Sequence, residues 1–326
     1  MHIKISRFAA GVIALFFLWS CQKESHVVQS AETSLSFKVQ TGEFQTKTIS
    51  DGSNIDILYY EIYGSDIRTA TSPLAEGEIS ETDDEGNFIL DLSLIKDQTY
   101  HFVFWAQVND QNHYDVSDLR MIKILDYSDE NANDESRAAF YAYEIIDLKK
   151  PVDETIKLYR PFAQLNIGTS TYNTSLNVGE PLTVLSSGVT VSKVADSFNT
   201  LDSEGIGFHK VTFKNNKTPN GADDASKKLL EANGSKYYWL GMNYLIVNGK
   251  DSNIVVDINI ETSRGDVYLN VPNVPIKENH RTNIIGDLLT TEANFKVIVD
   301  KNFKKNDIVV GEDGEIISDG SVTTNP

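Results

Sequence analysis

Cysteine is almost absent from this sequence: Cys21 is the only one among 326 residues. One thiol cannot close an internal disulfide, so the fold has to be held together by a hydrophobic core. Hydrophobic residues make up 40% of the chain and aromatic residues 10%, which is enough for such a core. The length of the chain is typical of two domains.

Motifs for metal, cofactor or catalytic chemistry are also missing. None of the six histidines has a second histidine or cysteine at metal-ligand spacing, which argues against a zinc site. No glycine-rich phosphate loop follows a strand, and no serine sits in a nucleophile-elbow pattern. The acidic stretches 83–85 and 129–134 lack the spacing of an EF-hand and are better explained as solvated turns than as calcium sites. We therefore expect no enzymatic activity, no cofactor and no bound metal.

Positive charge is scarce. The chain has 29 Lys+Arg against 47 Asp+Glu, a formal net charge of −18 at pH 7. Such a surface repels the phosphates of nucleic acids and anionic lipids. We expect no nucleic-acid partner.

Long apolar runs are missing except near the N-terminus. Residues 8–19 are mostly apolar and follow Lys4 and Arg7, the pattern of a secretory signal peptide, and the run is shorter than the about 20 residues that span a bilayer. Ser20 and Cys21, followed by a polar stretch, resemble the lipobox of bacterial lipoproteins, in which the cysteine is joined to diacylglycerol and the chain is cut before it. We expect a signal peptide over 1–20, lipidation of Cys21 and a tether over 21–33. The acyl chains, such as palmitate, would be the only membrane attachment.

Period-two alternation indicates β-strands in the rest of the chain. Leu35, Phe37 and Val39 alternate with polar residues, and we expect them to point into the core of an N-terminal sandwich from a strand paired at its edge. Other strands are predicted over 55–63, 100–108, 140–148, 155–158, 160–167, 189–194, 211–213, 237–247, 254–260, 267–271 and 295–299. A short helix is predicted over 117–125 and a helical turn over 226–232. Many short strands with few short helices indicate an all-β sandwich architecture.

Two motifs suggest binding but have a simpler structural explanation. The tripeptide 264–266, Arg-Gly-Asp, is the one that integrins bind, and the flanking strands also demand a β-turn there. Trp105 and Trp239 are suited to stacking on sugars, and both lie inside apolar strands. We favour the turn and the core packing.

Three stretches resemble a known family. Residues 160–167, RPFAQLNI, are similar to the Arg-x-x-Ala-x-Leu/Val-x-Val strand found midway along fimbrillins, the lipoprotein-derived (type V) pilins of Bacteroides-like bacteria. Residues 48–63 and 273–290 are similar to a subgroup of that family, and the second of these stretches is the most specific. Together the three matches span most of the chain after the signal peptide.

The resemblance implies two tandem transthyretin-like β-sandwich domains, which we place at 34–160 and 161–326. It also implies a route of assembly, in which a protease removes the N-terminal strand of a lipidated precursor at the outer membrane. A donor strand of the next subunit then fills the groove. In this chain the removed strand would carry Leu35, Phe37 and Val39. Family members are cut after an arginine, but none lies between Cys21 and Arg68, so Lys47 is the candidate cleavage site.

The C-terminal tail is the candidate donor. Its apolar residues form two short groups around an acidic, glycine-containing stretch: Ile308, Val309 and Val310, then Ile316 and Ile317. Glycine and acidic residues between them favour a turn, so the tail is equally compatible with a local hairpin on its own domain.

These observations predict a fimbrial structural or adhesive subunit at the cell surface, exported as an outer-membrane lipoprotein. Its partners would be other fimbrial subunits and, through lipid, the membrane. The alternative is a lipoprotein that does not polymerise and serves as an anchor or binds glycan or host protein.

Overall fold

The computed structural model describes residues 31–41, 54–109, 112–125, 135–170, 182–215, 229–232, 234–246, 252–289, 294–300, 307–310 and 316–318. The described strands belong to one compact unit, Glu32–Pro326. In chain order they are β1 (Glu32–Thr41), β2 (Ile57–Tyr63), β3 (Ala75–Ile79), β4 (Phe88–Ile95), β5 (Gln98–Gln107), β6 (Tyr114–Asp115), β7 (Met121–Ile124), β8 (Ala139–Leu148), β9 (Val152–Leu158), β10 (Phe162–Thr169), β11 (Val184–Val194), β12 (Ser197–Asn199), β13 (Glu204–Ile206), β14 (His209–Asn215), β15 (Leu229–Ala232), β16 (Ser235–Ile246), β17 (Ser252–Thr262), β18 (Gly265–Ile276), β19 (Arg281–Asp287), β20 (Asn294–Asp300), β21 (Asp307–Val310) and β22 (Ile316–Ser318). The only helix in these ranges is a 3₁₀ turn, Glu135–Arg137. The predicted all-β, sandwich-type fold is confirmed.

The first core lies between two sheets of the N-terminal half. One sheet has the order β4-β1-β9 and the other β3-β2-β5-β8. Alternate residues of β1 and β5 meet inside, where Phe37 packs edge-on against Phe102 and Phe104. Period-two alternation is what places these rings on the same side of their strands.

The second core lies between the two larger sheets of the C-terminal half. One has the order β14-β11-β17-β18, and the other is seven-stranded with the order β15-β16-β10-β19-β20-β21-β22. Two of the strands that carry the family resemblance, β10 and β19, run parallel beside each other within the larger sheet. The buried amide of Asn166 donates a hydrogen bond to the side-chain oxygen of Asn283 across them, at 2.8 Å. This buried pair fixes the register at which the two strands meet.

A third core and a small sheet connect the two halves of the sequence. The sheet has the order β13-β12-β7-β6, so strands from both halves pair within it. Trp105 on the other face of β5 packs in this core with Phe198 and Met242. Arg160 is fully buried at the junction, with its guanidinium carbon 4.5 Å from the centre of the Phe140 ring. Both faces of β5 are therefore buried, as its apolar sequence predicts. The division at 160/161 stays a prediction.

Two helical predictions are wrong. Residues 117–125 form a turn followed by β7, because Asp118 accepts hydrogen bonds from the backbone and guanidinium of Arg120 and closes the turn. Ile122 then enters the core from a strand. Within the predicted helical turn 226–232, the described residues form the strand β15. This strand pairs antiparallel with β16, and the pair nearest the connecting turn is Ala232 and Ser235. The intervening sequence Asn-Gly is a strong hairpin signal, and Gly234 has φ +70°.

Candidate assembly site

The N-terminal strand β1 completes the first sandwich. Leu35, Phe37 and Val39 are at most 1% exposed, as their alternation predicts. The strand pairs antiparallel with β4 on one side and parallel with β9 on the other. The expectation that it is paired at a sheet edge is therefore wrong, because β1 is the central strand of three. Alternation determines which face of a strand is buried, but it does not reveal how many neighbours the strand has.

Aromatic contacts anchor this strand in the first core. The Phe37 ring centre lies 5.0 Å from that of Phe102 with the planes at 76°, and 6.3 Å from that of Phe104. Edge-to-face pairs of this kind stabilise beyond the burial of their area. The three buried side chains of β1 are all apolar. Any strand that occupies the same place therefore needs three alternating apolar side chains.

The solvent side of β1 is held by charge. Lys38 Nζ lies 2.5 Å from Glu85 Oε2 and 3.5 Å from Asp83 Oδ2, in the turn that leads into β4. The hydrogen bond to Glu85 is the main reason that the pKa of Lys38 is raised. Hydrogen bonds from the side chain and backbone of Asn87 lower the pKa of Asp83 to about 2. These are surface interactions, so they orient the strand more than they stabilise it.

The C-terminal tail is a pair of strands at an edge of the seven-stranded sheet. β21 pairs antiparallel with β20, and β22 pairs antiparallel with β21. This backbone arrangement of 307–310 and 316–318 corresponds to the local hairpin, one of the two possibilities left open by the sequence. The donor role of Ile308, Val309, Val310, Ile316 and Ile317 stays a prediction.

The other predicted positions divide into two groups. Cys21 and Lys47 lie outside the described residues. Arg264 lies in the turn of the β17–β18 hairpin, where Thr262 Oγ1 accepts a hydrogen bond from its backbone N–H at 3.1 Å. Trp105 and Trp239 are 0% and 8% exposed and belong to buried clusters, as predicted.

A partly buried carboxylate links the two halves, and no sequence pattern predicts it. Glu278, in the turn before β19, accepts hydrogen bonds from Tyr141 Oη and Ser203 Oγ, both at 2.8 Å. Burial raises the pKa of Glu278 and that of Tyr141. The three residues are distant in sequence, so only the fold brings them together.

Two further features, metal-ligand clusters and membrane-spanning helices, were predicted to be absent from the sequence after the signal peptide. They contain no group of three or more His, Cys, Asp or Glu side chains placed to hold a metal ion. In the same ranges, no helix has the length and apolar character needed to cross a bilayer.

Comparison with known proteins gives a fold and a family. The fold is similar to that of a Bacteroides thetaiotaomicron protein proposed to bind polysaccharides, with a TM-score of 0.53 and 13% identity over 87% of this chain and 100% of the other. Lower scores relate it to the tip fimbrial protein Mfa3 of Porphyromonas gingivalis (0.46, 10% identity, 83% and 100% covered) and to a fimbrial assembly protein of Parabacteroides distasonis (0.45, 13% identity, 86% and 98% covered). No curated protein matches the sequence. A family model covers residues 24–323, and the chain therefore belongs to that family, which is described as a family of unknown function, DUF6562.

Proposed function

We propose that this protein is a fimbrial structural or adhesive subunit, exported as a lipoprotein through Cys21 and assembled by replacement of β1 with a strand of another subunit. The observation that carries the proposal is the position of β1 between β4 and β9. A strand near the N-terminus of the body occupies the middle of a sheet, and its partners come from later in the chain.

Removal of β1 would leave a gap one strand wide. Neighbouring strands lie about 4.8 Å apart, so β4 and β9 would be separated by about 10 Å, with unpaired backbone groups facing each other. Pockets for Leu35, Phe37 and Val39 would open at the floor of that gap. A donor strand with alternating apolar residues satisfies both the backbone and the pockets, which is the physical basis of strand addition.

Cleavage at Lys47 would separate β1 from β2 without cutting a described strand. The donor is proposed to come from the tail, whose β21–β22 pair would leave its own sheet edge in the polymer. Deletion of residues 306–326 is then expected to stop polymerisation while the monomer still folds and is exported. SDS-resistant ladders formed by the truncated protein would rule out the tail as donor.

The strand-exchange step has a direct test. A recognition sequence for a specific protease is placed within residues 42–47, the purified protein is cut, and a fluorescent peptide of residues 32–41 is added. The cut protein is expected to take up this peptide, whereas uncut protein and a peptide with Phe37→Asp are the matched controls. Failure of the cut, folded protein to exchange the peptide below its unfolding transition would contradict the proposal.

The second candidate function is that of a surface lipoprotein that binds glycan or host protein without polymerising. The likeness to a protein proposed to bind polysaccharides favours it. In that case β1 remains in place, Cys21 keeps its lipid, and the peptide is not exchanged. Both candidates are non-enzymatic and place the chain at the outer membrane, on the cell surface.

A further inference from the structure

The sheet β14-β11-β17-β18 has a polar outer face with a groove across it. Its inner face supplies Val189, Val191 and Ile258 to the second core. The outward positions of the same strands are nearly all polar. The groove has a volume of about 800 Å³ and spans all four strands.

The strand register arranges the outer side chains in rows. In one row Thr212 bonds to Thr190 at 2.9 Å, and Asn270 donates to Asp257 at 2.6 Å. On the other side of the groove, Ser186 donates to Glu261 at 2.6 Å. The side chains that border the groove are thus held in place by their neighbours before any ligand arrives.

The middle row contains Gly188, between Lys214 of β14 and Asn259 of β17. A Cβ at Gly188 would lie 3.8 Å from Phe213 O and 4.0 Å from Asn259 O, so neither space nor a positive φ requires glycine here. Glycine inside a strand weakens it and often marks close approach by a ligand. In this sheet Gly188 forms the floor of the groove, because it has no side chain that would fill it.

Beside this floor lies an acceptor without a donor. The side-chain oxygen Oδ1 of Asn259 is buried and has no hydrogen-bond partner in the described structure. An unpaired buried carbonyl of this kind costs about 1–3 kcal/mol, so a hydroxyl or amide that displaced the atoms covering it would be bound favourably. Asn259 pairs across the strands with Gly188 on one side and Tyr268 on the other.

Tyr268 provides an aromatic surface at the rim. It is 70% exposed, and its hydroxyl donates to Asp266 Oδ2 at 3.1 Å, which restrains the ring. The carboxylates of Asp257 and Glu261 outnumber the ammonium group of Lys214 in the lining, and the whole chain is acidic. An anionic ligand is disfavoured by this charge.

We propose that this groove binds a neutral oligosaccharide, with the sugar hydroxyls bonded to Asp257, Asn259 and Glu261 and one ring stacked on Tyr268. Four strands at about 4.8 Å spacing give a groove about 14 Å wide, suited to several sugar units. This inference rests on the adhesive part of the proposed function and is independent of the exchange of β1, because the groove lies on another sheet.

The test uses purified chain without its signal peptide, with Cys21→Ser, on an array of neutral plant and fungal oligosaccharides beside sulfated and uronate-rich ones. Wild-type protein is expected to bind members of the neutral set. Gly188→Val fills the floor and is expected to abolish binding while the unfolding midpoint stays equal or rises, since valine favours strands. Tyr268→Ala is expected to weaken binding up to about tenfold. Tyr159→Ala, at a tyrosine that is 53% exposed elsewhere, is the matched control and is expected to bind like wild type.

Three results would overturn the proposal: no neutral oligosaccharide is bound, only the anionic set is bound, or folded Gly188→Val binds as well as wild type. None of these results bears on the peptide-exchange assay, so failure of the groove and failure of strand exchange are distinguishable.

Discussion

Replacement of Phe37 by alanine tests how firmly β1 is built into the first core. Phe37 is 0% exposed and contacts Phe102 and Phe104 edge-on, so its removal leaves a cavity that the two remaining rings cannot fill without moving. Truncation of a buried phenylalanine costs about 3–5 kcal/mol, and the lost ring pairs belong within that figure. We expect Phe37→Ala to lower the free energy of unfolding by that amount.

Urea unfolding, monitored by tryptophan fluorescence, measures this change, because Trp105 follows Phe104 on β5 and packs in the third core. Ser36→Ala, at the neighbouring outward position of the same strand, is the control and is expected to change stability by less than about 0.5 kcal/mol. A loss below about 1 kcal/mol for Phe37→Ala would refute the reasoning, since β1 would then contribute little to the fold and its removal would open no groove.

Three further predictions concern other parts of the chain. Asn283→Ala leaves the buried amide of Asn166 without its acceptor and is expected to cost about 1–3 kcal/mol in the free energy of unfolding. Burial raises the folded-state pKa of Glu278, so its ionisation costs stability. Lowering the pH from 7 toward the ordinary value of 4.5 is therefore expected to stabilise wild type relative to Glu278→Gln, and parallel pH profiles of the unfolding midpoint would contradict this. Cys21→Ala is expected to abolish labelling by radioactive palmitate and retention in the membrane fraction, and a variant that stays membrane-bound with its signal peptide removed would contradict the lipid anchor.

The alternation of apolar residues was sufficient to predict most strands and their buried faces. Leu35, Phe37 and Val39 point inward as predicted, and β5 (Gln98–Gln107), predicted over 100–108, is buried on both faces from Phe102 onward. The central position of β1 was not predictable, because its neighbours β4 and β9 follow it by tens of residues and one runs parallel to it.

The wrong helix prediction over residues 117–125 has a local and a tertiary cause. Leu119, Ile122 and Leu125 have helical spacing, but Asp118 competes for the backbone through its own hydrogen bonds, and the β-branched residues of β7 pair with β12. Tertiary pairing outweighed a weak periodic pattern of nine residues.

The groove around Gly188 could not be found from sequence alone. Its lining comes from four strands that are adjacent only after folding, and each contributes ordinary polar positions of an alternating pattern. The one local hint was a glycine within a run of strand-forming residues, which has several structural explanations. The Glu278–Tyr141–Ser203 cluster was hidden for the same reason.

The most direct test of the proposed assembly is the N-terminal residue of the protein in polymers isolated from the cell surface, read by mass spectrometry of SDS-resistant ladders. The account predicts that polymerised subunits begin after Lys47 and lack β1, while unpolymerised precursor begins at a lipid-bearing Cys21. Ladders whose subunits retain Cys21 and residues 32–41 would contradict the replacement of β1.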